Sequence, residues 1–216
     1  MSKLIDFESY PISPVLDRLL QDKTTKQNII FATDAYLENG PDFAETAQIT
    51  VDKLLGYMKI KIQPRVEKAA EEQLARTRKK AEVSTPSWIV NKMNNHCDEE
   101  WFGRPNVFNT EAGTSWVTSS APITFDRKLS WKGYVDSKRL EITCGEAPYI
   151  VSRYDAATGD IIPIKDRIGI LDRKLRVVSE NAADDAEWLK WAERALQSSY
   201  GYEFQGDSLL IARGNV

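Results

Sequence analysis

The sequence predicts an α/β protein: a helical N-terminal region followed by a short, partial sheet. Two runs, 139–144 and 200–204, combine apolar, β-branched or aromatic residues in strand-sized lengths, and each carries an acid. Apolar residues recur at helical spacing before, between and after them. The 216 residues, 42% hydrophobic and 28% charged, suffice for one α/β core with a helical extension or for two small domains.

Composition also excludes classes. A net charge of −3 advertises no overall basic field for nucleic acid, so any DNA contact needs a local patch. Cys97, Cys144 and His96 are too few for a zinc ribbon or finger made by this chain alone. Adjacent on one helix, His96 and Cys97 do not face each other, so no metal site is expected. Sparse cysteine fits a reducing cytosol. The N-terminus has acids where a signal peptide needs an apolar run, and no apolar segment approaches the roughly 20 residues of a membrane span. The expectation is a cytoplasmic protein without a membrane partner.

The elements follow in order. Pro11, Ser13 and Pro14, with Val15, Leu16, Leu19 and Leu20, predict a capped helix within 1–27. Residues 28–36 read as a strand or an extended connector, and Asn39-Gly40-Pro41-Asp42 as a turn. Ile49, Leu54, Leu55 and Met58 predict a helix over 43–62, before Pro64 interrupts. Residues 65–82 read as a charged helix ending in Arg76, Arg78, Lys79 and Lys80. These cations either complement the macrodipole as a solvated terminus or form a DNA phosphate-contacting patch.

Ser84-Thr85-Pro86 supplies a capping hydroxyl and a first-turn proline for a helix with Ile89, Val90, Met93 and Cys97 facing inward. Residues 103–133 read as a loop insertion or small hairpin pinned by Trp116 and Trp131. After the strand at 139–144, residues 155–165 form a loop. Ile168, Leu171, Leu175 and Val178 predict a helix over 166–179. A second, amphipathic helix spans 184–197, with Asp184 and Asp185 at its start and Trp188, Trp191, Ala192, Ala195 and Leu196 inward. The second strand and a further helix from Ser208 complete the chain. Asp155 with Asp172-Arg173-Lys174 faintly echoes the acid and acid-x-Lys pattern of metal-dependent nucleases, but on a predicted helix rather than a strand.

Leu140-Glu141-Ile142-Thr143-Cys144-Gly145 places an acid and a bare backbone at the carboxyl end of a strand, where open α/β sheets bind nucleotide-like ligands. Taken in order with Thr85-Pro86 and Tyr200-Gly201-Tyr202-Glu203, this stretch resembles the cofactor half of adenine-specific DNA methyltransferases. The closest likeness is to the bacterial proteins called restriction endonuclease subunit M. The resemblance implies residues 1–82 as a helical region and 83–216 as a partial, truncated Rossmann-like domain binding S-adenosylmethionine. Thr85 and Pro86 match the segment over the methionine end, where free N–H groups at a helix start suit a carboxylate. Glu141 matches the acid of the first strand. Cys144 and Gly145 match the following loop, where a side chain at Gly145 would collide with the cofactor. Glu203 matches the acid that accepts the ribose hydroxyls, and Phe204 the residue against the adenine ring.

Departures are visible. The first-strand acid is the longer Glu141 rather than Asp, and Ala147-Pro148 replaces the second loop glycine. The Pro-Pro-aromatic segment that holds the flipped adenine has no counterpart, since the sequence contains no Pro-Pro dipeptide. No catalytic residue is therefore expected. The chain also stops where the family's third strand should follow, which predicts an incomplete sheet needing another chain: a catalytic half, a host defence protein or a second copy. The alternative to a cofactor-binding segment is a non-catalytic binding protein derived from such an enzyme. It would act as a decoy or inhibitor of a restriction, modification or CRISPR complex.

Overall fold

Capping and turn residues cut the chain into short elements. The computed structural model describes residues 4–57, 59–80, 82–126 and 128–216, with the side chains of Lys79 and Lys80 outside the described set. Three short helices come first: α1 (Leu16–Leu20), α2 (Val51–Leu55) and α3 (Ala70–Lys80). Then follow α4 (Ser87–Phe102), the hairpin β1 (Asn109–Ala112) and β2 (Ser115–Thr118), α5 (Trp131–Asp136) and β3 (Arg139–Ile142). The chain closes with α6 (Ile170–Asn181), α7 (Asp185–Gln197), β4 (Ser199–Tyr202) and α8 (Gly206–Asn215). The fold is mixed helix and small sheets. No helix among the described residues is long and apolar enough to cross a membrane.

The chain forms two compact units. One comprises Met1–Val83, Thr143–Glu146 and Glu203–Val216; the other comprises Ser84–Ile142 and Ala147–Tyr202. The C-terminal helix, expected to belong with residues 83–202, is therefore part of the first unit.

In that first unit, Leu210 and Ile211 of α8 join a core of Ile5, Phe7, Leu16, Leu20, Phe31, Ile49 and Leu54. Four of these nine, Ile5, Phe7, Phe31 and Ile49, sit on irregular backbone. The helix expected within 1–27 shrinks to a 3₁₀ turn, Ser13–Val15, and α1. Residues 28–31 are a connector bridged at Ile30–Gln48 and Gln21–Asn28, and residues 33–36 are bends and turns. The helix expected over 43–62 is only α2, and Met58 lies outside the described residues. Gly206 lets α8 begin against this connector. Its N–H donates to the Phe31 carbonyl at 2.9 Å, and a Cβ there would overlap the Ile30 carbonyl.

A buried polar network fastens α3 to α8. Asp207 accepts from the Tyr36 hydroxyl at 2.9 Å and pairs with Arg76 at 2.9 Å and Lys68 at 3.5 Å. Burial pushes the Asp207 carboxyl up, but Arg76 and Lys68 outweigh it and hold the group below its ordinary value. Arg76 also donates through Nε to Glu82 at 2.7 Å. Burial opposes its charge, yet Asp207 and Glu82 raise its pKa above the usual guanidinium range.

The second unit repeats this device with other residues. Asp98 of α4 accepts from Tyr134 at 3.0 Å and Arg173 at 2.6 Å, and Arg139 lies at 3.4 Å. Arg173 also donates to Asn91 and Asn95, and Asn94 donates to the Tyr149 and Ile168 carbonyls. The buried face of α4 is thus Ser87, Val90, Asn91, Asn94, Asp98 and Phe102. Of the expected inward residues only Val90 is fully buried, and Met93 and Cys97 are exposed. The polar face turns inward because every buried amide and acid on it finds a partner. Around it Trp101, Phe102, Phe108, Phe125 and Tyr134 form an aromatic cluster.

The strands β3 and β4 pair in parallel, with Leu140 opposite Tyr200 and Ile142 opposite Tyr202. The helices α6 and α7 form the crossover that parallel pairing requires. Leu140, Ile142, Tyr200 and Tyr202 lie 50%, 69%, 43% and 66% exposed, so the apolar face of this pair is open. Lys174 of α6 is fully buried and donates to Ser137 O, Ser198 O and Ser198 Oγ at 2.7–3.1 Å, tying α5 and α6 to the start of β4. Burial pulls its pKa down to about 7.

Candidate cofactor site

The seven residues matched to the cofactor site fall in both units: Cys144, Gly145, Glu203 and Phe204 in the first, and Thr85, Pro86 and Glu141 in the second.

In the first unit the turn after β3 is conformationally unusual. Thr143 has φ 53°, Gly145 φ 54° and the adjoining Ala147 φ 64°. Left-handed backbone disfavours alanine and disfavours a β-branched residue more, so three such positions in five concentrate strain. Gly145 meets the requirement without penalty, and a Cβ there would meet nothing within 4 Å. Its glycine is therefore demanded by the backbone angle, with open space beside it. The Gly145 N–H donates to Glu203 Oε2 at 2.7 Å, and Glu203 Oε1 accepts from the Gln205 N–H at 2.9 Å. The turn glycine and the acid after β4 are thus in direct contact. Phe204 stands 78% exposed beside Glu203, and Cys144 is buried.

In the second unit the helix start at Pro86 is already occupied. Neither Ser84 nor Thr85 caps α4; the Ser87 N–H donates to the Asp155 carboxylate at 2.7 Å. Asp155 also accepts from the Ala157 and Thr158 N–H groups. Burial pushes its carboxyl up, and these N–H donors, Ser87 first, overcome that and lower its pKa. The carboxylate expected there from a ligand is supplied by the chain itself. Glu141 is half-buried on β3. Thr85 and Glu141 both act on Tyr149, a residue the sequence analysis did not single out. Burial raises the Tyr149 hydroxyl, a hydrogen bond with Thr85 opposes the shift, and Glu141 adds to it. The only sequence signal was an aromatic residue directly after Ala147-Pro148.

The DNA-contact reading changes residue by residue. Arg76 is 4% exposed and committed to Asp207 and Glu82, so it is neither a solvated terminus nor a phosphate contact. Arg78 is exposed, and the Lys79 and Lys80 side chains lie outside the described residues. The nuclease echo also dissolves: Asp155 caps α4, Asp172 accepts from Ser152 and Gly169, and Lys174 is buried on carbonyls. Among the described residues no cluster of His, Cys, Asp and Glu could hold a metal ion. Comparison with protein-family models, with curated proteins and with solved structures finds no match to the chain.

Proposed function

We propose that this chain is the S-adenosylmethionine-binding segment of an adenine DNA methyltransferase of a restriction–modification system, unable to transfer the methyl group alone. The observation that carries the reading is the hydrogen bond from Gly145 to Glu203, which joins a left-handed turn after β3 to the acid after β4. Two parallel strands linked by a helical crossover, with a glycine turn after one and an acid after the other, are the parts of a Rossmann-like ligand site. Each Glu203 oxygen accepts one N–H and keeps a lone pair for a ribose hydroxyl. Phe204 offers an exposed ring for the adenine.

Calorimetric titration with S-adenosylmethionine tests this. Glu203→Gln keeps the shape, removes the charge and should weaken binding by roughly 1.5–3 kcal/mol. Purified chain should leave DNA unmethylated, because no Pro-Pro-aromatic segment is present to hold the adenine amine. Absence of heat and of a thermal shift at millimolar cofactor sinks the reading.

One observation favours a second reading, a non-catalytic methyltransferase-derived protein that docks on a host defence complex. The apolar face of β3 and β4 is exposed, and two strands rarely persist without cover. Light scattering at low micromolar concentration separates the readings: a stable monomer that binds cofactor supports the first, and one that binds none supports the second.

A further inference from the structure

A groove of about 870 Å³ lies wholly within the second unit, walled by β2, the 3₁₀ turn Ile164–Asp166 and α6. Its size falls in the range of small-molecule sites. Its charges are unequally engaged. The acids on its wall are all committed: Asp172 accepts from the Ser152 and Gly169 N–H groups. Asp166 accepts from the Thr118 hydroxyl at 2.9 Å, and Glu180 takes Arg176 and the Ile123 N–H, each at 2.7 Å. One arginine on the same wall is not. Arg167 has only an ion pair at 4.0 Å to Asp172, and its Nε has no acceptor among the described residues. Arg173, by contrast, is 2% exposed, lies over the Phe108 ring and spends its terminal nitrogens on Asp98, Asn91 and Asn95.

A buried donor without an acceptor is costly, and native structures keep few of them. A guanidinium whose hydrogen-bond capacity is unspent beside an open groove is suited to a carboxylate or phosphate, which it grips through paired N–H groups. Exposed Lys165 adds a second cation at the rim. Val117 and Ile164, 66% and 81% exposed, line the groove with Leu175 and give an apolar body something to rest on.

We propose that this groove binds a small organic anion, a carboxylate or phosphate on an apolar body, with Arg167 as the group that holds the charge. The site is separate from Gly145 and Glu203 and does not depend on the methyltransferase reading.

The test is calorimetric titration of the full chain with phenyl phosphate, benzoate and uncharged benzyl alcohol. At least one anion should bind with millimolar or tighter Kd, and benzyl alcohol at least about tenfold more weakly. The preferred anion tells phosphate from carboxylate. Arg167→Ala should weaken anion binding by at least about tenfold. Because Arg167 neighbours Asp172, Val117→Glu serves as a second variant: it adds negative charge to the groove from an exposed position on β2 and should have the same effect. Glu203→Gln should leave anion binding unchanged. No heat from either anion at about 10 mM, benzyl alcohol binding as tightly, or both groove variants binding like the parent chain overturns the proposal.

Discussion

Replacing Asp207 with Asn isolates the charge that holds α3 to α8. The substitution keeps the shape, so no cavity forms, and the Tyr36 hydroxyl keeps an oxygen to donate to. The loss is electrostatic. Arg76 and Lys68, 4% and 6% exposed, lose a carboxylate that is itself 1% exposed. Removing one partner of a buried ion pair costs about 3–5 kcal/mol, because the other charge stays desolvated. Glu82 still holds Arg76 at 2.7 Å and Glu72 still holds Lys68 at 3.2 Å, so the effect belongs at about 3 kcal/mol, the low end of that range. All six tryptophans lie in the second unit, so their fluorescence is a poor reporter. Amide hydrogen exchange on peptides covering 70–80 and 206–215 is the suitable assay, and about 3 kcal/mol there is roughly a hundredfold faster exchange. The acid arm gives a second reading. Asp207 has a depressed folded pKa, so its stabilisation is present above the unfolded value of about 3.9 and is lost as pH falls through the lower folded value. The Asn variant should lack that loss. Exchange in α3 and α8 within about threefold of the parent chain at pH 7 would refute the reasoning.

Lys174 has a folded pKa of about 7, so the unfolded chain binds the extra proton from there up to about 10.4. Stability of the second unit should rise with pH through that window, by at most about 1.4 kcal/mol per unit, and Lys174→Met should flatten the slope seen by tryptophan fluorescence. Gly145→Val should cost about 1–2 kcal/mol in denaturant titration through its left-handed backbone alone, since the space beside it is open. Thr143→Gly, two residues earlier at φ 53°, should be neutral or stabilising in the same titration. Gly206→Ala should destabilise the first unit by about 1–3 kcal/mol, read by hydrogen exchange in α8, because its methyl overlaps the Ile30 carbonyl.

The later helices were partly readable from the sequence. The apolar spacing of Leu171, Val178, Ala192 and Ala195 matches buried positions on α6 and α7, whereas Trp188 and Leu196, also expected inward, are exposed; Asp184 caps α7 by accepting from the Glu187 N–H. Residues 139–144 contain β3 and residues 200–204 overlap β4, although β3 turns Leu140 and Ile142 outward. The N-terminal 62 residues were over-read as helix. Ile5, Phe7, Phe31 and Phe43 are buried without periodicity because their partners include Leu210 and Ile211, nearly the full chain away. Local pattern carries no trace of such a partner. The inward face of α4 failed for a related reason. Asn91, Asn94 and Asp98 look solvent-bound until Arg173, Tyr134 and the Ile168 carbonyl arrive from distant segments.

The candidate site shows the same division. Gly145 and Glu203, each picked out because it follows a strand-like run, are brought into contact by the fold. Tyr149 and Asp155 were not, because their roles come from Thr85 and Ser87 across the fold. What those distant contacts consume narrows the chemistry. Asp98 and Asp207 neutralise buried arginines, Asp155 caps a helix, and Asp172 accepts three hydrogen bonds from Ser152 and Gly169. An acid held ionised by buried cations or backbone N–H groups is a poor proton donor near neutral pH. Asp155 and Asp207, with lowered pKa values, are of this kind. Hydrogen-bonding capacity remains instead at Glu203, with two oxygens at a strained turn, and at Arg167, with an unused guanidinium edge beside a groove. These two groups are the ones on which the cofactor proposal and the anion proposal rest.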